Sequence, residues 1–147
     1  MPGRIGLGRG LRLLALALCS TAHAASAQDA VSLTDHQAVA DSAARAWLAL
    51  VDAREWDAAW SGMAPRFRQQ VPQAQWRSML ERMRATVGEP TGRAVGAVAA
   101  CADFWGPLAV HFTYRSATES GAGTGEEVCV YPEDGEWYVG VYSMGSG

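Results

Sequence analysis

The stretch Glu126-Glu127-Val128-Cys129-Val130-Tyr131-Pro132-Glu133-Asp134-Gly135-Glu136-Trp137-Tyr138-Val139-Gly140-Val141-Tyr142 decides the fold. Asp134-Gly135 is a two-residue hairpin signal, because the favoured turn needs positive φ at both central positions, which Asp tolerates and Gly adopts freely. Folding about it puts Val130 opposite Val139, Val128 opposite Val141, Tyr131 opposite Tyr138 and Cys129 opposite Gly140. Pro132 then faces Trp137 at a non-hydrogen-bonded position, where its missing N–H costs the ladder nothing. In this register the bare Gly140 leaves room for a disulfide at Cys129. The valines take one face, and Tyr131, Tyr138 and Tyr142 form a ribbon on the other.

Working upstream, Leu108, Val110, Phe112 and Tyr114 alternate with Ala109, His111, Thr113 and Arg115, the period of a strand with one buried face. Residues 116–125 read as a small-residue connection. Its Gly121-Ala122-Gly123-Thr124-Gly125 run lacks the following helix and the lysine of a phosphate loop. A first strand over 93–101 carries a weak signal, being rich in Ala and Gly. Before Pro90 the period is helical. Thr34 with Gln37 has capping-box spacing, and Val39, Ala43, Trp47, Leu50 and Val51 make an apolar stripe to about Asp52. Trp56, Ala59, Trp60 and Met63 repeat it in a shorter helix ended by Gly62 and Pro65. A third helix over 73–87 places Trp76, Met79, Leu80, Met83 and Val87 on one face, stopped by Gly88 and Pro90. The expected fold is α+β: N-terminal amphipathic helices packed on an antiparallel sheet of about four strands, with the tryptophans in the core.

The 147 residues suit one domain, and 49% hydrophobic against 18% charged residues excludes a disordered tail. The chain has no Lys, so Schiff-base and pyridoxal chemistry are closed to it. Arg4, Arg9 and Arg12, the apolar run 13–18 and Ala22-His23-Ala24-Ala25-Ser26-Ala27 have the order of a secretory signal peptide over 1–27, cleaved after Ala24 or Ala27. The apolar run is too short to span a bilayer. Leu18 before Cys19 argues against a lipoprotein, in which that position is normally small. A domain over 28–147 then carries 9 arginines against 15 acidic residues, a net charge of −6. That balance disfavours nucleic acid and anionic lipid. Localisation is expected to be periplasmic or secreted. With Cys19 removed, Cys101 and Cys129 form an even pair in an oxidising compartment, which reads as one disulfide.

Ala46-Trp47-Leu48-Ala49-Leu50-Val51-Asp52, Trp60, Gln75-Trp76-Arg77, Met83-Arg84, Gly88, Arg93, Glu126-Glu127-Val128 and Glu133-Asp134-Gly135-Glu136-Trp137 through Tyr142 resemble the exported bacterial domain of unknown function numbered four thousand and nineteen. The segment 97–105 departs from that pattern. The resemblance implies a cystatin-like, nuclear-transport-factor-like cone of helices against a curved sheet, and it brings no catalytic residues with it.

In enzymes of that broad fold a carboxylate base and a tyrosine acid line the cone. Tyr114, with a carboxylate such as Asp103, is the pair this sequence offers. Asp52 and Asp57 lie near helix ends, where solvated or capping roles are ordinary. No metal-ligand spacing, nucleophile elbow or cofactor motif occurs, so metal, cofactor and catalytic residues are expected to be none. The tyrosine ribbon bordered by His111, Arg115 and Glu127 is the candidate binding surface, since such rings bury large area at low entropy cost. The sequence therefore points to a non-catalytic binding or protein-interaction module for a periplasmic protein or small apolar ligand. The alternative is a small isomerase-like or hydrolase-like enzyme.

Overall fold

The computed structural model describes residues 33–146; the expected signal peptide over 1–27, its expected cleavage sites and Cys19 lie outside the described residues. Four helices precede the sheet: α1 (Asp35–Asp52), α2 (Trp56–Ser61), α3 (Pro65–Gln70) and α4 (Gln73–Val87). The strands β1 (Pro90–Ala100), β2 (Val110–Thr118), β3 (Gly123–Glu133) and β4 (Glu136–Ser146) follow, with a single-turn helix α5 (Ala102–Trp105) between β1 and β2. The sheet is antiparallel with strand order β1-β2-β3-β4, so the chain is an α+β protein, helices first.

Local chemistry sets the boundaries. Thr34 caps α1 through the Gln37 N–H, and the Gln37 side chain returns to the Thr34 N–H, completing the capping box. Gly88, at φ 99°, ends α4 where a side chain would press on Thr118. Pro65 does not stop a helix but opens α3, because its fixed φ suits a first-turn position whose N–H needs no partner. The β2–β3 connection is shorter than expected, since pairing continues out to Ala117 and Gly123.

The core lies between the helices and one sheet face. Val110, Phe112 and Tyr114 of β2 and Val128 and Val130 of β3 meet Trp47, Leu48 and Val51 of α1 and Trp76 and Leu80 of α4. Trp56, Trp60 and Trp137 pack against this cluster. The α1 stripe is rotated from the expected one. Ala40 and Ala44 are buried while Val39 is exposed, because the small alanines let the helix axis approach the sheet. On α4, Met79 is exposed and Arg84 takes a buried place in the row with Trp76 and Leu80. Leu108 is exposed and precedes β2.

The hairpin register holds from Glu133↔Glu136 to Val130↔Val139 and then shifts by one residue, so Cys129 pairs with Val141 and Val128 with Tyr142. The irregularity at Gly140 is a β-bulge, which leaves one residue unmatched and reverses the facing of everything beyond it. Two expectations are corrected by it. Tyr142 turns to the helix-covered face, its ring 5.1 Å from that of Trp47. Gly140 makes room for the Trp105 indole and not for the disulfide, since a Cβ there would collide with that ring. At the outer edge of β4, the Val139 N–H donates to the Gly62 carbonyl and its carbonyl accepts from the Ala64 N–H, both at 2.8 Å. This parallel bridge at Met63 pins the α2–α3 junction to the sheet.

Overpacking at a glycine notch costs about 1–3 kcal/mol. Gly140→Ala is expected to lower stability by that order in urea denaturation. Trp105→Ala should relieve the collision, so that the double variant is more stable than the two single losses added together. Strict additivity would separate the two residues energetically.

Candidate functional site

Two regions collect the chemically capable side chains, one under the helices and one on the opposite sheet face. Under the helices, Glu126 of β3 is fully buried, on the same face as Val128 and Val130. A carboxylate there is tolerable only if paired and hydrogen-bonded. Arg93 of β1 supplies a two-nitrogen clamp, with Nε donating to Oε2 and Nη2 to Oε1 at 3.1 Å. The Tyr142 hydroxyl donates to Oε1 at 2.8 Å, and Arg84 of α4 stands 3.6 Å away. Both arginines also reach the end of α1. Arg93 donates to the Asp52 oxygens at 2.6 and 2.9 Å, and Arg84 to Asp52 at 2.8 Å and to Glu89 at 2.7 Å. Arg54 adds a 3.3 Å contact to Glu89.

Three cations thus face three anions. A cleft of about 360 Å³ opens beside them, lined by Val51, Arg54, Trp56, Glu81 and Arg84 among others. The Arg84 guanidinium reaches its wall already committed to two carboxylates. Burial works against ionisation of Asp52, but hydrogen bonds and charge from Arg93 and Arg84 outweigh it and hold its pKa below the ordinary carboxylate value. Burial, then the charge of Glu126, raises the Tyr142 pKa well above the ordinary phenol value. Burial also raises that of Tyr114, followed by its bond to Asp41.

Tyr114 faces the core as expected and donates to Asp41 Oδ1 at 2.7 Å, while Arg45 holds the other Asp41 oxygen at 2.8 Å. Asp103 is exposed on α5, over the other sheet face, so the acid–base pair of the enzyme reading is not brought together. Asp57 accepts from Gln73 at 2.6 Å and ties α2 to α4.

On the far face, Ala64, Ala109, Cys129 and Tyr131 form a second small core, against which Phe67, Cys101, Trp105 and Tyr138 pack. The Cys101–Cys129 disulfide is present, Cα to Cα 6.5 Å, and draws the β1–β2 connection across the sheet as a strap. Trp105 on this strap stacks on Tyr131 with ring centroids 4.9 Å apart, and the Arg66 guanidinium of α3 covers it at 3.7 Å from the ring centre. Arg66 also donates to the Phe104 carbonyl. Tyr138 lies 6.1 Å from Tyr131. The expected ribbon of three tyrosines is therefore not assembled: Tyr131 is buried beneath Trp105, Tyr138 is half-buried beside it, and Tyr142 belongs to the other face. His111 is half-buried and pairs with Cys129. Arg115 is exposed and lies along Gly96, where a side chain would meet it.

A cleft opens on this face between α3 and the strap. It has about 350 Å³ and is lined by Pro65, Arg66, Gln69, Trp105, Tyr131 and Glu133, with Phe104 at its margin. Phe104 is 77% exposed, more than any other large hydrophobic residue described. Sequence reasoning missed Glu126, Arg84 and Arg93 as a unit, and missed Phe104 and Trp105 as surface. Glu126 could have been found by parity, two positions before Val128; the strap carried no comparable signal.

Helices locked by buried charge onto an antiparallel sheet, with a disulfide-tied strap across the other face, define a small α+β module with two chemically distinct sides. Residues 43–142 match the family described as Protein of unknown function (DUF4019), and the chain belongs to that family. All six members of the charge network lie within the matched span. No curated protein and no solved structure matches the chain.

Removing one partner of a buried ion pair costs about 3–5 kcal/mol, whereas apolar replacement of the whole set is often neutral. Glu126→Leu is expected to destabilise by that order in urea denaturation, and combining it with Arg84→Met, Arg93→Met and Asp52→Asn, so that Asp52 is not left charged without its two arginines, to recover most of the loss. A small effect of Glu126→Leu alone contradicts the clamp.

The pKa directions fix two pH limits. Tyr142 and Tyr114 have folded values above 10.0, so their contribution is complete below pH 10.0 and is lost as pH rises through the folded values. Asp52 has a folded value below 3.8, so its contribution holds above pH 3.8 and is lost as pH falls through the folded value. Denaturation midpoints against pH should therefore fall at both ends. Tyr142→Phe should flatten the alkaline limb and Asp52→Asn the acid one.

Proposed function

We propose that the chain is exported with loss of residues 1–27 and acts in the periplasm or outside the cell as a non-catalytic binding module of the cystatin-like cone class. Its strap-covered face engages a protein partner. The observation that carries this reading is Phe104, an exposed aromatic ring at the margin of a cleft rimmed by polar residues. Phe104 is continuous with the apolar walls made by Pro65, Trp105 and Tyr131, and an apolar patch with a polar rim has the make-up of an interaction surface. The filled interior supports the same reading. Trp47 and Phe112 are buried between the helices and the sheet, and Trp60 packs against the same core cluster. Among the described residues the core-facing ions Asp52, Arg84, Arg93 and Glu126 are paired with one another.

The strap is rigid enough to serve. It is held by the disulfide, by the Trp105 seat at Gly140 and by Arg66, so binding there loses little ordering entropy.

A photo-crosslinking residue placed at Phe104 in the native host is expected to give a protein adduct, while one at the exposed Arg77 of α4 gives none. Absence of adduct at 104, or equal adducts at both positions, counts against this surface as the binding face.

A further inference from the structure

We infer that the cleft between α3 and the strap docks a basic, extended segment of a partner protein, inserting one large apolar side chain beside Phe104 and Trp105. The inference rests on the interaction reading above and adds the chemistry of the partner. The groove itself supplies the anchor position: Pro65, Trp105 and Tyr131 form its apolar walls, and Phe104 extends the apolar surface outward. Its walls are fixed by the disulfide and by the Trp105 seat at Gly140, so the receiving shape exists before the partner arrives.

Charge complementarity selects the occupant. Glu133 lines the cleft, Asp134 and Glu136 stand exposed on the turn that continues from it, and Asp103 is exposed beside Phe104 on the strap. None of these four carboxylates has an ion-pair partner among the described residues. Among the described residues Arg66 is the one cation lining the cleft, and its guanidinium is spread over the Trp105 ring and bound to the Phe104 carbonyl. A partner segment bearing arginine or lysine is therefore attracted to the rim, and an acidic one is repelled. The same surplus of negative charge disfavours a nucleic acid or an anionic membrane as occupant.

The test uses the mature chain and three fluorescent synthetic peptides in anisotropy titrations: an arginine-rich peptide with a central tryptophan, the same peptide with serine for tryptophan, and the same peptide with glutamate for every arginine. The first is expected to bind, more weakly as salt is added, and loss of the anchor or reversal of charge to weaken it by about ten-fold or more. Phe104→Ala and Glu133→Lys, both at exposed positions, should each weaken it similarly with the thermal midpoint unchanged. Equal binding of the basic and acidic peptides overturns the charge inference and leaves the interaction reading standing. Binding that ignores both substitutions places the groove elsewhere and overturns it. If no peptide binds while position 104 crosslinks a partner, this inference alone fails; if neither occurs, both fail.

Discussion

Glu126 is a carboxylate without solvent, and the arrangement of the helical layer follows from what that requires. Its two oxygens are met by Arg93 from β1, Tyr142 from β4 and, at longer range, Arg84 from α4. The same two arginines grip Asp52 at the end of α1. One buried charge thus joins two helices and three strands. An apolar contact is non-directional, so valines and leucines alone allow α1 and α4 to slide on the sheet. A forked guanidinium bound to two carboxylates does not, because a small displacement breaks several charge-assisted bonds at once. The ionic cluster therefore fixes where α1 and α4 sit on the sheet.

The bulge at Gly140 follows from the same requirement. With the hairpin register carried on unbroken, Tyr142 faces away from Glu126. One unmatched residue reverses its direction and delivers the phenol to the carboxylate. It also leaves at Gly140 a bare patch of backbone on which the Trp105 indole rests. A single irregularity thereby serves both faces of the sheet.

Much of the fold was legible in the sequence. The Asp134-Gly135 turn gives three of the five pairs correctly, Thr34 and Gln37 fix the start of α1, and Gly88 with Pro90 fixes the end of α4. The bulge was not legible, because a glycine in a strand suits a bulge, a close backbone approach or a neighbouring bulky group equally well. The phase of α1 slipped because an alanine contributes little to a hydrophobic stripe, although Ala40 and Ala44 are as fully buried as Leu48. Pro65 read as a terminator although proline serves equally at a helix start. Parity put Glu126 on the core side, but its partners at 84 and 93 come from other elements, and no spacing rule links them. The family resemblance gathered Asp52, Arg84, Arg93, Glu126 and Tyr142 into its blocks without saying that they meet.

The division of labour between the faces rests on where charge is spent. Under the helices, carboxylates and guanidiniums occur in balance, and their fields cancel within a few ångströms. Across the strap, carboxylates stand at the hairpin tip and beside Phe104 with, among the described residues, a single arginine lining the cleft between them. A closed set of charges contributes rigidity and attracts little from solution; an open set above a shaped apolar cleft acts at the range of a Debye length and selects what approaches. The strap is the element that turns the second face from bare sheet into such a cleft. Between β1 and β2 a tight turn is enough for connection, and a segment that carries Phe104 into solvent and Trp105 back onto Gly140 does more than connect.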